Sequence, residues 1–226
     1  MAAPRRASDG RLENRPSPRS PAEPVGPGVH EIGLGHGTEV LLAVPPGDPV
    51  PRPLLVFFHG AGGTAGQSLA AVGDLAGDAG AVVLAPSSAA TTWDLVAGGL
   101  GRDAALLDAA LAEVSDFAGV TRTAFGGFSD GASYALSLGL ANGDLVEAVL
   151  AFSPGFAAPP AQEGRPRIRV THGTQDRVLP VASCGRRVAE RLTAAGYDVA
   201  YDEFDGGHVV PPDRVTAALK WWLRAA

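Results

Sequence analysis

Three side chains in this sequence could together cleave an acyl bond: Ser129, Asp176 and His208, met in that order along the chain. A serine hydroxyl is a weak nucleophile at neutral pH and needs a base within hydrogen-bond reach. An imidazole can take that proton, and a carboxylate on its far nitrogen fixes the tautomer and stabilises the imidazolium. Ser129 lies in Gly127-Phe128-Ser129-Asp130-Gly131, a G-x-S-x-G pattern. Such a serine tops a sharp strand-to-helix turn, where flanking residues must be small because the neighbouring backbone passes close by. An apolar stretch ending in TAFG precedes the motif, and ASYALSLGL follows it. Strand, turn and helix are thus all in place, whereas a bare match in a chain with 30 glycines would carry little.

Five histidines compete to be the base. His30 and His36 precede the core strands, and His59 and His172 each close a strand. His208 follows the apolar run ending at Phe204, in Asp205-Gly206-Gly207-His208, where two glycines can aim the ring across a sheet edge. Asp176 follows the strand around residues 168–171, so its carboxylate falls in a loop at a carboxyl end. Asp202 and Asp205 are rivals that belong to the strand carrying the histidine. His172 reads as a structural hydrogen bonder beneath the acid loop.

Phe58-His59-Gly60-Ala61-Gly62-Gly63-Thr64 follows the run LLVFF. Small residues there let a main-chain N–H approach a bound carbonyl. The expected oxyanion donors are the amides of Ala61 and of Asp130, the residue after the nucleophile. A phosphate-cradling reading is weaker, since no G-K-[ST] follows and the spacing is not G-x-G-x-x-G. Trp93 and Phe156, each in a loop past a strand, are candidate walls of a substrate pocket. Cys184 lacks an elbow motif and is not read as a nucleophile.

Elements able to hold these residues alternate along the chain. Strands are expected at 39–44, 54–58, 81–85, 123–127, 148–152, 168–171 and 199–204. Helices are expected at 67–79, 102–117, 131–140, 184–195 and 212–224. Runs such as LLVFF and AVVLA lack polar alternation, as strands covered on both faces do. The fold class is therefore α/β, with an open, mostly parallel sheet flanked by helices. In such sheets chemistry collects beyond the carboxyl ends of the strands, where all the candidates fall.

The bulk properties agree. An apolar fraction of 46% and a charged fraction of 19% suit a globular domain with a sizeable core. A net charge of −6 gives no basic footprint, so nucleic acid and anionic membrane are not expected partners. One cysteine makes no internal disulfide, and no zinc-ligand spacing occurs, so no metal is expected. Neither a run of eighteen apolar residues nor a leader-like apolar stretch is present, which makes cytoplasmic the default location. Residues 1–28, rich in Pro, Arg, Ser and Gly, read as a mobile tail, and 29–226 as the folded domain.

Taken together, HGAGGT, GFSDGASYALSLG, HGTQDRVLP and EFDGGH resemble bacterial phospholipase/carboxylesterase-type α/β-hydrolases, and more distantly polyhydroxybutyrate-depolymerase-like esterases. The resemblance spans about residues 29–226. It implies carboxylic ester hydrolysis through an acyl-serine intermediate, without cofactor, on a small-molecule ester. About fifteen residues, 153–167, separate two strands where a cap domain is often inserted, so no cap domain and an open site for small or medium acyl groups are expected. A thioesterase or peptidase on the same scaffold, and an inactive ligand-binding relative, remain alternatives.

Overall fold

The computed structural model describes residues 10–19, 24–35, 37–95 and 98–224. Eight strands form one sheet: β1 (Gly28–Glu31), β2 (Val40–Val44), β3 (Arg52–Phe58), β4 (Val82–Pro86), β5 (Val120–Phe128), β6 (Ala148–Phe152), β7 (Arg167–Gly173) and β8 (Val199–Phe204). The helices are α1 (Ala65–Asp78), α2 (Arg102–Phe117), α3 (Asp130–Ala141), α4 (Gly185–Ala194) and α5 (Pro212–Leu223). The strand order is β1-β2-β4-β3-β5-β6-β7-β8. β1 pairs antiparallel with β2 and β2 with β4; every pairing from β4 through β8 is parallel. This is the open, mostly parallel sheet of an α/β-hydrolase fold. No helix or strand interrupts residues 153–166 between β6 and β7, so no cap covers the sheet there.

β3 shows why an unbroken apolar run is needed. Leu54, Val56 and Phe58 enter a core shared with α2, α3 and α4, while Leu55 and Phe57 enter a second core under α1 and α5. Side chains alternate across a strand, so a strand covered on both faces must be apolar at every position. Each such side chain contributes about 1.5–3 kcal/mol through burial. Parallel strands need crossovers, which the helices supply. The chain runs from β3 through α1 to β4 on one side, then through α2 to β5 on the other. That reversal opens a crevice beyond the carboxyl ends of β3 and β5.

Two expectations from sequence are corrected. β1, four mostly exposed residues, begins inside the stretch read as tail. Residues 10–19 are docked rather than mobile: Leu12 is fully buried, and the Asn142 side chain bonds both the Leu12 amide and the Gly10 carbonyl. The Asp108 carboxylate accepts from the amides of Glu13 and Asn14, and Arg11 and Arg15 pair with Asp144. One buried leucine and a ladder of long-range hydrogen bonds offset the ordering cost that the composition alone leaves unmatched. The remainder of the expected tail, residues 1–9 and 20–23, lies outside the described residues.

Candidate active site

The sharp strand-to-helix turn expected around Ser129 forms where β5 hands over to α3. Ser129 has φ 56° and ψ −121°, a left-handed conformation that costs a non-glycine residue about 1–3 kcal/mol. The surroundings hold it there. Its amide donates to the Phe152 carbonyl at 2.9 Å, and its carbonyl accepts from the amides of Ala132 and Ser133. The flanking glycines are steric necessities. A Cβ on Gly127 would lie 2.3 Å from the Gly131 carbonyl oxygen, and one on Gly131 would lie 2.2 Å from that of Phe58.

His208 approaches from the loop between β8 and α5. Its Nε2 lies 2.9 Å from Ser129 Oγ and its Nδ1 lies 2.6 Å from Asp176 Oδ2. The Phe128 ring sits against the imidazole, with centroids 4.6 Å apart. Asp176 follows β7, and its Oδ1 accepts from the amides of Val178 and Leu179, both at 2.9 Å. The acid loop and the histidine loop are tied together by Thr174 N–H to Phe204 and Gln175 N–H to Gly206. Burial pushes the Asp176 carboxyl upward. The hydrogen bonds from His208, Leu179 and Val178 outweigh it, and the group settles below the ordinary carboxylate value.

His172 also touches this carboxylate. Its Nε2 lies 3.2 Å from Asp176 Oδ2 and 2.8 Å from the Leu179 carbonyl, while Nδ1 is buried without a partner. Burial holds the ring below the usual imidazole value. A neutral His172 with its proton on Nε2 fits both contacts. The ring thus shares Asp176 Oδ2 with His208 Nδ1 and hydrogen-bonds within the loop that follows β7, where the sequence reading has it as a structural hydrogen bonder.

In the loop after β3, where an oxyanion donor is expected, Gly62 N–H donates to the Thr91 carbonyl at 2.6 Å and Gly63 N–H to that of Gly60 at 3.0 Å. Among the described residues, the amides of Ala61 and Asp130 donate to no group of the chain. The loop lies against Ser129: a Cβ on Gly60 would stand 3.3 Å from Ser129 Cβ. Thr64 ends the loop and caps α1. Its hydroxyl accepts from Gln67 N–H while the Gln67 side chain accepts from Thr64 N–H. The His59 ring points down into the scaffold, with Nδ1 donating to the Gly60 carbonyl and Nε2 accepting from Ser88 N–H. Burial keeps it, too, below the usual imidazole value.

A cleft of about 350 Å³ opens beside this loop, lined by residues 60–63, the start of α1, Phe128 and Val210. Neither aromatic named from sequence lines it. Trp93 is 1% exposed; it stacks on Tyr134, packs against Phe58 and donates its indole N–H to the His59 carbonyl at 2.9 Å. The pocket-wall expectation for Trp93 is therefore corrected to a core support beneath the loop after β3. Phe156 lines a separate cleft of about 210 Å³ against α4. Among the described residues, no group of three or more His, Cys, Asp or Glu side chains is placed to hold a metal ion. Nor is any helix long and apolar enough to cross a membrane.

Residues 104–223, more than half the chain and the part that carries Ser129, Asp176 and His208, match the model of the phospholipase/carboxylesterase family. The chain belongs to that family. As a phospholipase/carboxylesterase-family member it is a hydrolase, and solved structures repeat its fold. Esterase PE8 is similar at 24% identity and a TM-score of 0.66, over 80% of this chain and 95% of that one. The fluorophosphonate-binding serine hydrolase F of Staphylococcus aureus aligns at 14% identity and a TM-score of 0.72, over 88% and 100%. Acyl-protein thioesterase 2 of Zea mays aligns at 17% identity and a TM-score of 0.59, over 81% and 96%. None of the curated proteins compared matches the chain.

Proposed function

We propose that this hydrolase cleaves carboxylic esters with small or medium acyl groups through an acyl-serine intermediate. The observation that carries the reading is the hydrogen-bonded line Ser129 Oγ–His208–Asp176, with gaps of 2.9 and 2.6 Å. In this reading His208 Nε2 takes the Ser129 proton as Oγ attacks the ester carbonyl. Asp176 holds the Nδ1 proton and stabilises the imidazolium, and the amides of Ala61 and Asp130 receive the oxyanion. His208 then protonates the departing alkoxide. Water, deprotonated by the same histidine, releases the acid and restores Ser129.

The cleft of about 350 Å³ beside the oxyanion loop suits one arm of a small ester, and the short 153–166 connection leaves the approach uncovered. A thioesterase reading stands second, since serine chemistry is shared and one structural neighbour is an acyl-protein thioesterase. A panel of p-nitrophenyl esters of two to twelve carbons, the matched thioesters and the matched anilides separates them. The proposal expects the highest kcat/KM on short esters, with Ser129→Ala at background. Undiminished ester hydrolysis by Ser129→Ala would defeat it, and a preference for thioesters by a factor of ten or more would move the assignment to the second reading.

A further inference from the structure

The loop between β4 and α2 touches both segments that carry the oxyanion donors. Thr91 carbonyl accepts from Gly62 N–H at 2.6 Å, and the Trp93 indole donates to the His59 carbonyl at 2.9 Å, so this loop grips the Ala61 segment from two sides. Between those two contacts, the Thr92 hydroxyl donates to Asp130 Oδ2 at 2.8 Å, on the residue that bears the other donor. The far side of the loop is anchored. Asp103 at the start of α2 accepts from the amides of Ala89 and Asp94, and Asp94 accepts from those of Gly101 and Asp103.

We infer that Thr92 is a positioning residue that sets the oxyanion hole, holding the Asp130 amide in register with the Ala61 amide through the Asp130 carboxylate. The inference rests on the serine-hydrolase reading above. Two physical effects underlie it. The two donors belong to different loops, after β3 and after β5, and a donor displaced by a fraction of an ångström loses much of its grip on developing charge. The second effect is electrostatic. An aspartate directly after the nucleophile places negative charge beside the site where the oxyanion forms. A hydroxyl donating into that carboxylate draws its charge toward the loop and away from the oxyanion.

The test uses Thr92→Val, which keeps the shape and removes the hydroxyl, with Thr92→Ser as rescue. Turnover of p-nitrophenyl acetate and affinity for phenylboronic acid are read together, because the boronate adduct on Ser129 places an oxygen in the hole without turnover. Thr92→Val should lower kcat/KM by about 10- to 100-fold with KM within threefold of wild type. Boronate affinity should fall by a similar factor, and the melting temperature should stay unchanged. Thr92→Ser should recover to within threefold. In an Asp130→Ala background Thr92→Val should cost nothing further, since the bond it breaks is already gone.

Activity and boronate affinity within twofold of wild type in Thr92→Val would overturn the inference. So would a loss confined to KM, or an equal loss in the Asp130→Ala background. If wild type hydrolyses none of the esters yet binds the boronate, the boronate comparison alone decides, and unchanged affinity in Thr92→Val overturns the clamp. Wild type that neither hydrolyses the esters nor binds the boronate sinks the serine-hydrolase reading and the clamp together; wild type that hydrolyses p-nitrophenyl acetate without binding the boronate leaves the kcat/KM comparison to decide, and an unchanged kcat/KM in Thr92→Val overturns the clamp alone.

Discussion

Asp176 divides its two carboxylate oxygens between different tasks: Oδ2 meets His208 Nδ1 at 2.6 Å, while Oδ1 is held by the amides of Val178 and Leu179. The backbone thus orients the carboxylate independently of the histidine, and the ring must take the tautomer with its proton on Nδ1. Asp176→Asn keeps the shape and can present an N–H to Nδ1, inverting that tautomer. A fall in kcat of about three to four orders of magnitude is expected on a short-chain p-nitrophenyl ester, with the melting temperature near wild type. A loss under tenfold would remove Asp176 from the proposed role.

The buried histidines predict how stability changes with pH. His59 and His172 are both held below the ordinary imidazole value, first by burial. In the unfolded chain each titrates near pH 6.5. As pH falls through that value the unfolded chain takes up protons that the folded one resists. Stability is therefore fully present above about pH 6.5 and is lost progressively below it. Melting temperatures between pH 7.5 and 5.5 should fall, and His172→Gln should flatten the slope. The same slope in wild type and variant would contradict the placement of a neutral His172.

The elbow glycines give a contrast. Gly131→Ala drives a methyl against the Phe58 carbonyl oxygen, 2.2 Å from the ideal Cβ, and so must part β3 from α3. A loss of about 3 kcal/mol in denaturant unfolding is expected. Gly66, in the first turn of α1, has no atom closer than 3.8 Å to an added Cβ. Gly66→Ala should be neutral or stabilising by up to about 1 kcal/mol. Equal effects of the two substitutions would contradict the close approach at the elbow.

The docked N-terminal segment predicts a cost far from the site. Leu12 is fully buried among the core side chains. Leu12→Ala should destabilise by about 2–4 kcal/mol while leaving kcat/KM within twofold. Asp144→Asn, which breaks a half-exposed ion pair with Arg11 and Arg15, should cost under about 1 kcal/mol. Urea unfolding of both variants checks the ranking, and a Leu12→Ala variant as stable as wild type would place the segment in solvent.

Much of this was legible in the sequence, because the strongest signals are local. LLVFF and AVVLA read as doubly covered strands, and β2 through β8 fall where alternation of apolar runs places them. Ser129 is marked by glycines whose absence of Cβ is sterically required, and Asp176 and His208 by their places just past β7 and β8. What stayed hidden depends on partners far away in sequence. β1 is four mostly exposed residues with no apolar alternation. The 10–19 segment owes its order to one leucine and to Asn142 and Asp108, more than ninety residues distant. Trp93 looked like a pocket wall because a loop tryptophan carries no mark of which way its ring turns. Its indole N–H is satisfied by the His59 carbonyl, which makes burial affordable. Thr92 meets Asp130 only once the strands are ordered in the sheet, whereas His172, read from sequence as a structural hydrogen bonder, finds Asp176 and Leu179 in the loop that follows it.

The central claim is that the Ser129 hydroxyl is the activated nucleophile, and a fluorophosphonate probe tests it most directly. Intact protein treated with the probe should gain one phosphonyl group, located by peptide mass spectrometry on Ser129. His208→Ala should slow labelling by at least about a hundredfold, through loss of the base. Absence of labelling on the folded wild-type protein, or labelling at a residue other than Ser129, would contradict the account.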